Sequence, residues 1–187
     1  MAAQLKMLNT MGYSGGVRAG MVIHPDGQSV IYVLGATIVV RTLDEDNHQQ
    51  TFLRGHTNHI VSLCLSKSGK YLATGQQALP GGTADIIVWD IASLAIVQRL
   101  ALHKVTIASM CFASDDKYLV SLGGEGDNRV VVWDISSGKA ISGAPATTMD
   151  RAMAVESLAG PELKFVTCGI NHVRVWTINS ADGRLNP

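Results

Sequence analysis

Three tryptophans, Trp89, Trp133 and Trp176, stand 44 and 43 residues apart, and each closes a short β-branched run. The runs are Asp85 to Asp90, Asn128 to Asp134 and Asn171 to Thr177. A repeat of about 40–45 residues that ends an alternating strand on a tryptophan, twice with aspartate following, specifies a four-stranded propeller blade. The repeat reaches beyond the indoles. Gly55 to Thr74 lies without gaps on Leu102 to Ser121 at a single offset of 47, which matches His56 to His103, Ile60 to Ile107, Cys64 to Cys111 and Tyr71 to Tyr118. The offset falls to 44 at the tryptophans, so three residues are lost in the later unit and Gln76 to Thr83 is expected to be the longer loop.

Four units with strands a to d follow, punctuated by Gly, Asp, Asn and Pro where turns are required. Their limits are about 17–54, 56–101, 103–147 and 150–178. In the first, strands are expected at 18–23, 29–34 and 37–42, with Arg41 in the tryptophan position and Ile38 and Val40 anchoring the third strand. In the second they fall at 60–65, 71–75, 85–90 and 95–100, and in the third at 107–112, 118–122, 129–135 and 140–143. The fourth offers 152–158, 164–168 and 172–178, after which Ser180 to Pro187 reads as too short and polar for an outer strand. The organisation is an extension over 1–12, a partial propeller over 13–178 and a tail over 179–187. The fold class is therefore all-β, a partial ring of about four blades. Propellers close to protect their first and last edges, and seven blades make the commoner ring. The chain is expected to be roughly the first half of such a ring, with open edges through which two copies could associate.

Composition narrows the function. Lys plus Arg and Asp plus Glu are both 15 and no basic block occurs, which disfavours a nucleic-acid partner. Three cysteines, an odd number placed within predicted strands, argue against a disulfide framework and for a reducing compartment. Met1 to Met11 lacks the basic start and apolar stretch of a secretory signal, and no run approaches the roughly 18 apolar residues of a membrane span. The expectation is a soluble cytoplasmic protein without a membrane partner.

His103, Ser121, Asp127 and Trp133 resemble the structural tetrad of WD repeats, in which a leading-loop imidazole, a strand hydroxyl, a turn carboxylate and an indole share hydrogen bonds. Buried groups of these types each need a partner. In the second unit the set is His56, Thr74 and Trp89, but Thr83 holds the place of the aspartate, and Asp85 is expected to substitute. The fourth unit keeps only Thr167 and Trp176. A catalytic reading of Ser121 with His103 and Asp127 is set aside, because Ser121 lies inside a strand with no exposed elbow. His56 and His59 have two-histidine metal spacing but no third ligand. Gly123 to Gly126 and Gly12 to Gly16 fit no phosphate-binding pattern and read as tight turns. Cys64 and Cys111, in equivalent strand positions, read as small packing residues. No catalytic residue, cofactor or metal is assigned.

Features beyond the repeat carry a narrower resemblance. His24-Pro25-Asp26, Ile31 to Gly35, Phe52 to His56, Ala84 to Asp90, Tyr118 to Gly124 and Ala140 to Ala146 are similar to the amino-terminal propeller of the cilia- and flagella-associated protein 52 family. The resemblance runs from about Tyr13 to Ile178. It implies a WD-repeat scaffold with no enzymatic activity, a microtubule inner protein of the ciliary or flagellar axoneme that binds tubulin and neighbouring proteins and stabilises doublet microtubules. Binding residues sit on loops held by a rigid scaffold. The candidate contacts are Asp44, Glu45 and Asp46 in one hairpin, His59, and Gln76, Gln77 and Pro80 in the long loop. Two alternatives stand beside it: an outer-wall microtubule-associated tandem propeller and a general WD-repeat interaction scaffold. A ubiquitin-ligase substrate receptor would place arginine three residues after the tryptophan, where this chain has Ala92, Ser136 and Asn179.

Overall fold

A computed structural model describes residues 7–44, 49–147, 151–160, 162–178 and 183–187. Four antiparallel four-stranded sheets succeed one another along the chain. The first blade comprises β1 (Met21–Ile23), β2 (Ser29–Leu34), β3 (Thr37–Thr42) and β4 (Gln50–Arg54). The second comprises β5 (Ile60–Leu65), β6 (Tyr71–Gln76), β7 (Ala84–Asp90) and β8 (Ala95–His103). The third comprises β9 (Ile107–Phe112), β10 (Tyr118–Gly123), β11 (Arg129–Asp134) and β12 (Lys139–Pro145). The fourth comprises β13 (Ala152–Ser157), β14 (Lys164–Gly169), β15 (His172–Ile178) and β16 (Leu185–Asn186). Each sheet is a simple meander, so spatial order follows chain order.

The runs of valine and isoleucine at β7 and β11 are buried on both faces because another blade covers each side, and continuous apolar runs suit such strands better than alternation. Three cores lie between blades. Trp89 packs with Ile31, Val33 and Ile38 of the first blade. Trp133 packs with Ile86 and Val88 of the second, and Trp176 with Val130 and Val132 of the third. Every indole is thus covered by the blade before it. On the fourth blade the residues equivalent to Val130 and Val132, which are 0% exposed, are Val173 at 74% and Val175 at 50%: no blade among the described residues covers them. Backbone and side-chain bonds also cross between blades, including Arg99 Nη1 to the Gly55 carbonyl at 3.1 Å and Arg174 Nη1 to the Ala146 carbonyl at 3.1 Å.

Two elements differ from the sequence expectation. The first strand does not begin at Arg18, because the Gly20 amide donates to the Val17 carbonyl at 3.0 Å and Ala19 sits at φ 51°, a turn that delays the strand until Met21. The carboxyl-terminal segment does supply an outer strand: Leu185 and Asn186 pair with Ile178 and Thr177, and Leu185 packs against the core of the third and fourth blades. In the first blade, Ile38 is fully buried and Val40 packs against the core shared with the second blade.

The meander sorts the loops. Connections from first to second and from third to fourth strands lie at one end of the sheets, and the remaining connections at the other. The propeller arc therefore has two loop faces.

Candidate functional site

Hydrogen-bonded side chains at the head of the third blade form one chain. The Trp133 indole N–H donates to Ser121 Oγ at 2.8 Å, and Ser121 Oγ lies 2.8 Å from His103 Nε2. His103 Nδ1 is 2.5 Å from Asp127 Oδ2. A carboxylate only accepts, so Nδ1 carries the proton and Nε2 accepts from the serine hydroxyl. His103 is fully buried and the Asp127 side chain is 4% exposed. Burial holds the imidazole below its usual pKa of 6.5, opposed by the hydrogen bond and charge of Asp127, which keeps it neutral near pH 7. The Ser121 hydroxyl is taken up by Trp133 and by His103 at the end of β8, and the residue is wholly shielded from solvent. The arrangement can hold an indole and a loop in place, and it leaves no approach for a substrate.

The second blade builds the same chain from different residues. Trp89 Nε1 donates to Thr74 Oγ1 at 2.9 Å, and Thr74 Oγ1 lies 2.7 Å from His56 Nε2. His56 Nδ1, however, meets Gln76 Oε1 at 2.9 Å, and Asp85 instead accepts from Thr83 Oγ1 at 2.7 Å. The expected substitution by Asp85 is therefore corrected: Gln76 is the acceptor. Gln76 also takes the Thr57 amide at 3.1 Å and donates to Thr57 Oγ1 at 3.1 Å. The reason lies in register. Gln76 pairs with Ile60 as Gly123 pairs with Ile107, so the glutamine side chain fills the space that glycine opens for Asp127 in the third blade. A Cβ on Gly123 would come within 2.7 Å of both the Asp127 carboxyl carbon and His103 Nδ1. The sequence carried this signal as a glutamine aligned with a glycine at offset 47. Burial lowers the His56 pKa, while the Gln76 bond works against that shift. In the fourth blade Trp176 Nε1 donates to Thr167 Oγ1 at 2.8 Å, and no imidazole among the described residues joins them.

The loop candidates separate. Gln76 is 3% exposed within β6, so it belongs to the blade's interior and not to the long loop. Gln77, Pro80 and His59 are exposed, and the Gln77 amide donates to the His59 carbonyl at 2.9 Å, which brings these positions together on one loop face. Asp44, between the third and fourth strands, lies on the opposite face and is exposed. Glu45 and Asp46 lie outside the described residues. Among the described residues no three histidine, cysteine, aspartate or glutamate side chains gather as metal ligands, and no helix is long and apolar enough to cross a membrane. Cys64 and Cys111 line one cavity of about 280 Å³ between the first strands of the blades, and burial pushes both thiols up. Cys168 is exposed.

Comparison with known proteins agrees with this geometry. The WD domain, G-beta repeat family matches residues 47–90 and 95–134. The chain is 41% identical over 187 residues to cilia- and flagella-associated protein 52 of Chlamydomonas reinhardtii, covering 100% of this chain and 30% of that protein. The human protein of the same name is 37% identical, covering 99% of this chain and 30% of its own length. The chain thus spans about 30% of the length of the curated relatives it matches. Among solved structures, U3-55K superposes with a TM-score of 0.73 at 20% identity, covering 97% of this chain and 53% of that one, a likeness of fold alone.

Proposed function

We propose that this chain, which carries WD40 repeats and is similar along its whole length to cilia- and flagella-associated protein 52, is part of a non-catalytic scaffold that binds proteins in a cilium or flagellum. The observation that carries the reading is the 41% identity extending through all four blades rather than only through the repeat signature. Its polar clusters support the same view, because His103, Ser121, Asp127 and Trp133 exhaust one another in holding the blade. At the finer level, the partners are tubulin and neighbouring axonemal proteins, and the role is that of an inner protein stiffening doublet microtubules. Gln77, Pro80 and His59 on one loop face and Asp44 on the other are the proposed contacts. The exposed apolar faces of the first and fourth blades, including Ile23 and Val173, favour self-association when the chain is isolated.

The test is tagging of the full-length native protein in a ciliated cell, followed by fractionation. Retention in salt-washed doublet microtubules supports an inner-wall position; release by salt indicates the outer-wall alternative. Diffuse cytosolic signal in ciliated cells overturns the ciliary reading and leaves a general WD-repeat scaffold.

A further inference from the structure

On the first blade, directly paired residues make two neighbouring rows on one face: Ile23, Val30, Arg41 and Gln50, then Met21, Tyr32, Val39 and Phe52. This is the face on which the later blades carry their tryptophans, and there the preceding blade covers it. Here a strap of chain lies across it. Gln50 ties one end: its Oε1 takes the Thr10 amide at 2.9 Å and its Nε2 donates to the Thr10 carbonyl at 3.1 Å. Ser14 ties the other, its amide donating to the Val33 carbonyl at 2.9 Å and its Oγ accepting the Gly35 amide at 3.0 Å. Between these ties Met11, Gly12 and Tyr13 enclose, with the sheet, a pocket of about 480 Å³.

Met21, Ile23, Val30 and Leu43 make most of the lining apolar, and Arg41 is its only charged residue. The Arg41 guanidinium meets neither a carboxylate nor a hydrogen-bond acceptor among the described residues. Tyr32 is its diagonal neighbour on the same face, because Val30 stands opposite Arg41 and Tyr32 lies two residues further on. Tyr32 is 6% exposed, yet its hydroxyl has no hydrogen-bond partner among the described residues and is not sealed from solvent. A phenol buried to that extent normally finds a partner, and the pocket it lines is where one can enter. Two unused donors, one of them cationic, thus converge on an apolar recess.

We propose that the pocket between the strap and the first blade binds a small alkyl carboxylate of the medium-chain fatty-acid type, its carboxylate held by Arg41 and Tyr32 and its chain laid over Met21, Ile23 and Val30. A guanidinium fork matches a planar carboxylate on two bonds, and a phenolic O–H donates to the same group. A single cation suits a single negative charge. The strap fixes the size of the occupant: a whole sheet cannot lie flat on this face without displacing it, and the space that remains falls within the range of about 300–1,000 Å³ typical of small-molecule sites. The site goes beyond the scaffold reading and does not depend on it.

The test is calorimetric titration of the chain with decanoate, decanol and decylamine, each below the concentration at which it self-associates. Decanoate is expected to bind once per chain, and about tenfold or more tightly than decanol or decylamine, as charge-assisted hydrogen bonds require. Arg41→Gln should weaken decanoate to the level of decanol. Tyr32→Phe, which keeps the ring, should weaken decanoate by a few-fold and leave decylamine unchanged. Ile23→Glu alters a position that is 66% exposed, so the fold is retained, and its like charge should exclude decanoate. Circular dichroism checks the fold of all three variants. Absence of decanoate binding, equal binding of decanol, or a decanoate affinity untouched by Arg41→Gln overturns the proposal. Several ligands per chain would do the same, since that marks detergent-like adsorption. A sedimenting dimer that Ile23→Glu dissociates and decanoate does not would assign the face to a second copy and overturn it too.

Discussion

Thr74→Val and Thr167→Val make the same nearly isosteric change at two fully buried sites, and the structure predicts unequal costs. At Thr74 the hydroxyl serves the Trp89 N–H at 2.9 Å and His56 Nε2 at 2.7 Å. Its removal strands the buried indole N–H and the part-buried imidazole. At Thr167 only the Trp176 N–H at 2.8 Å loses its partner. An orphaned buried group costs about 1–3 kcal/mol and a part-buried one less, so Thr167→Val should destabilise by about 1–3 kcal/mol and Thr74→Val by about 1 kcal/mol more. Urea denaturation followed by tryptophan fluorescence and by far-ultraviolet circular dichroism measures both, with coincident transitions required before free energies are compared. Adding His56→Ala to each variant completes the experiment, since the second cost at Thr74 should vanish once the imidazole is gone. Equal losses for the two single variants, or a Thr74 penalty unchanged by removing His56, would refute the hydrogen-bond chain as the source of the difference.

Stability should also fall as pH drops below about 6.5, because His56 and His103 bind protons more readily unfolded than in their buried neutral states. The melting temperature should be flat between pH 7 and 8 and decline towards pH 5.5, and a rise on acidification would contradict the assigned shifts. Val130→Thr should cost about 1–3 kcal/mol by burying a hydroxyl among Trp176 and its neighbours, whereas Val173→Thr should lie within about 0.5 kcal/mol of the parent. Thermal unfolding of the pair checks this. A small thiol reagent should label Cys168 rapidly, half-buried Cys64 more slowly, and leave buried Cys111 protected until denaturant is added, as mass spectrometry of the labelled protein will report.

The blades were legible because period is a property of sequence. The spacing of Trp89, Trp133 and Trp176 placed β7, β11 and β15, and the offset of 47 placed the first two strands of the middle blades. What was not legible is which atoms meet across a register. Asp85 looked like the acceptor for His56 because it is acidic and nearby in sequence, yet its strand position points it to Thr83. Gln76 looked like a loop residue because glutamine is polar, yet its pairing with Ile60 buries it over the imidazole. β16 was missed for another reason: two residues carry no periodicity, and Leu185 forms a strand through packing rather than local preference.

That each indole leans on the blade preceding it gives the arc a direction. Peeling away the fourth blade bares only valines such as Val130 and Val132 on the blades that remain, whereas loosening the first bares the Trp89 indole on the second. Unravelling from the carboxyl end is therefore the gentler path, and the molecule should fray like a row of overlapping roof tiles lifted from the last one laid.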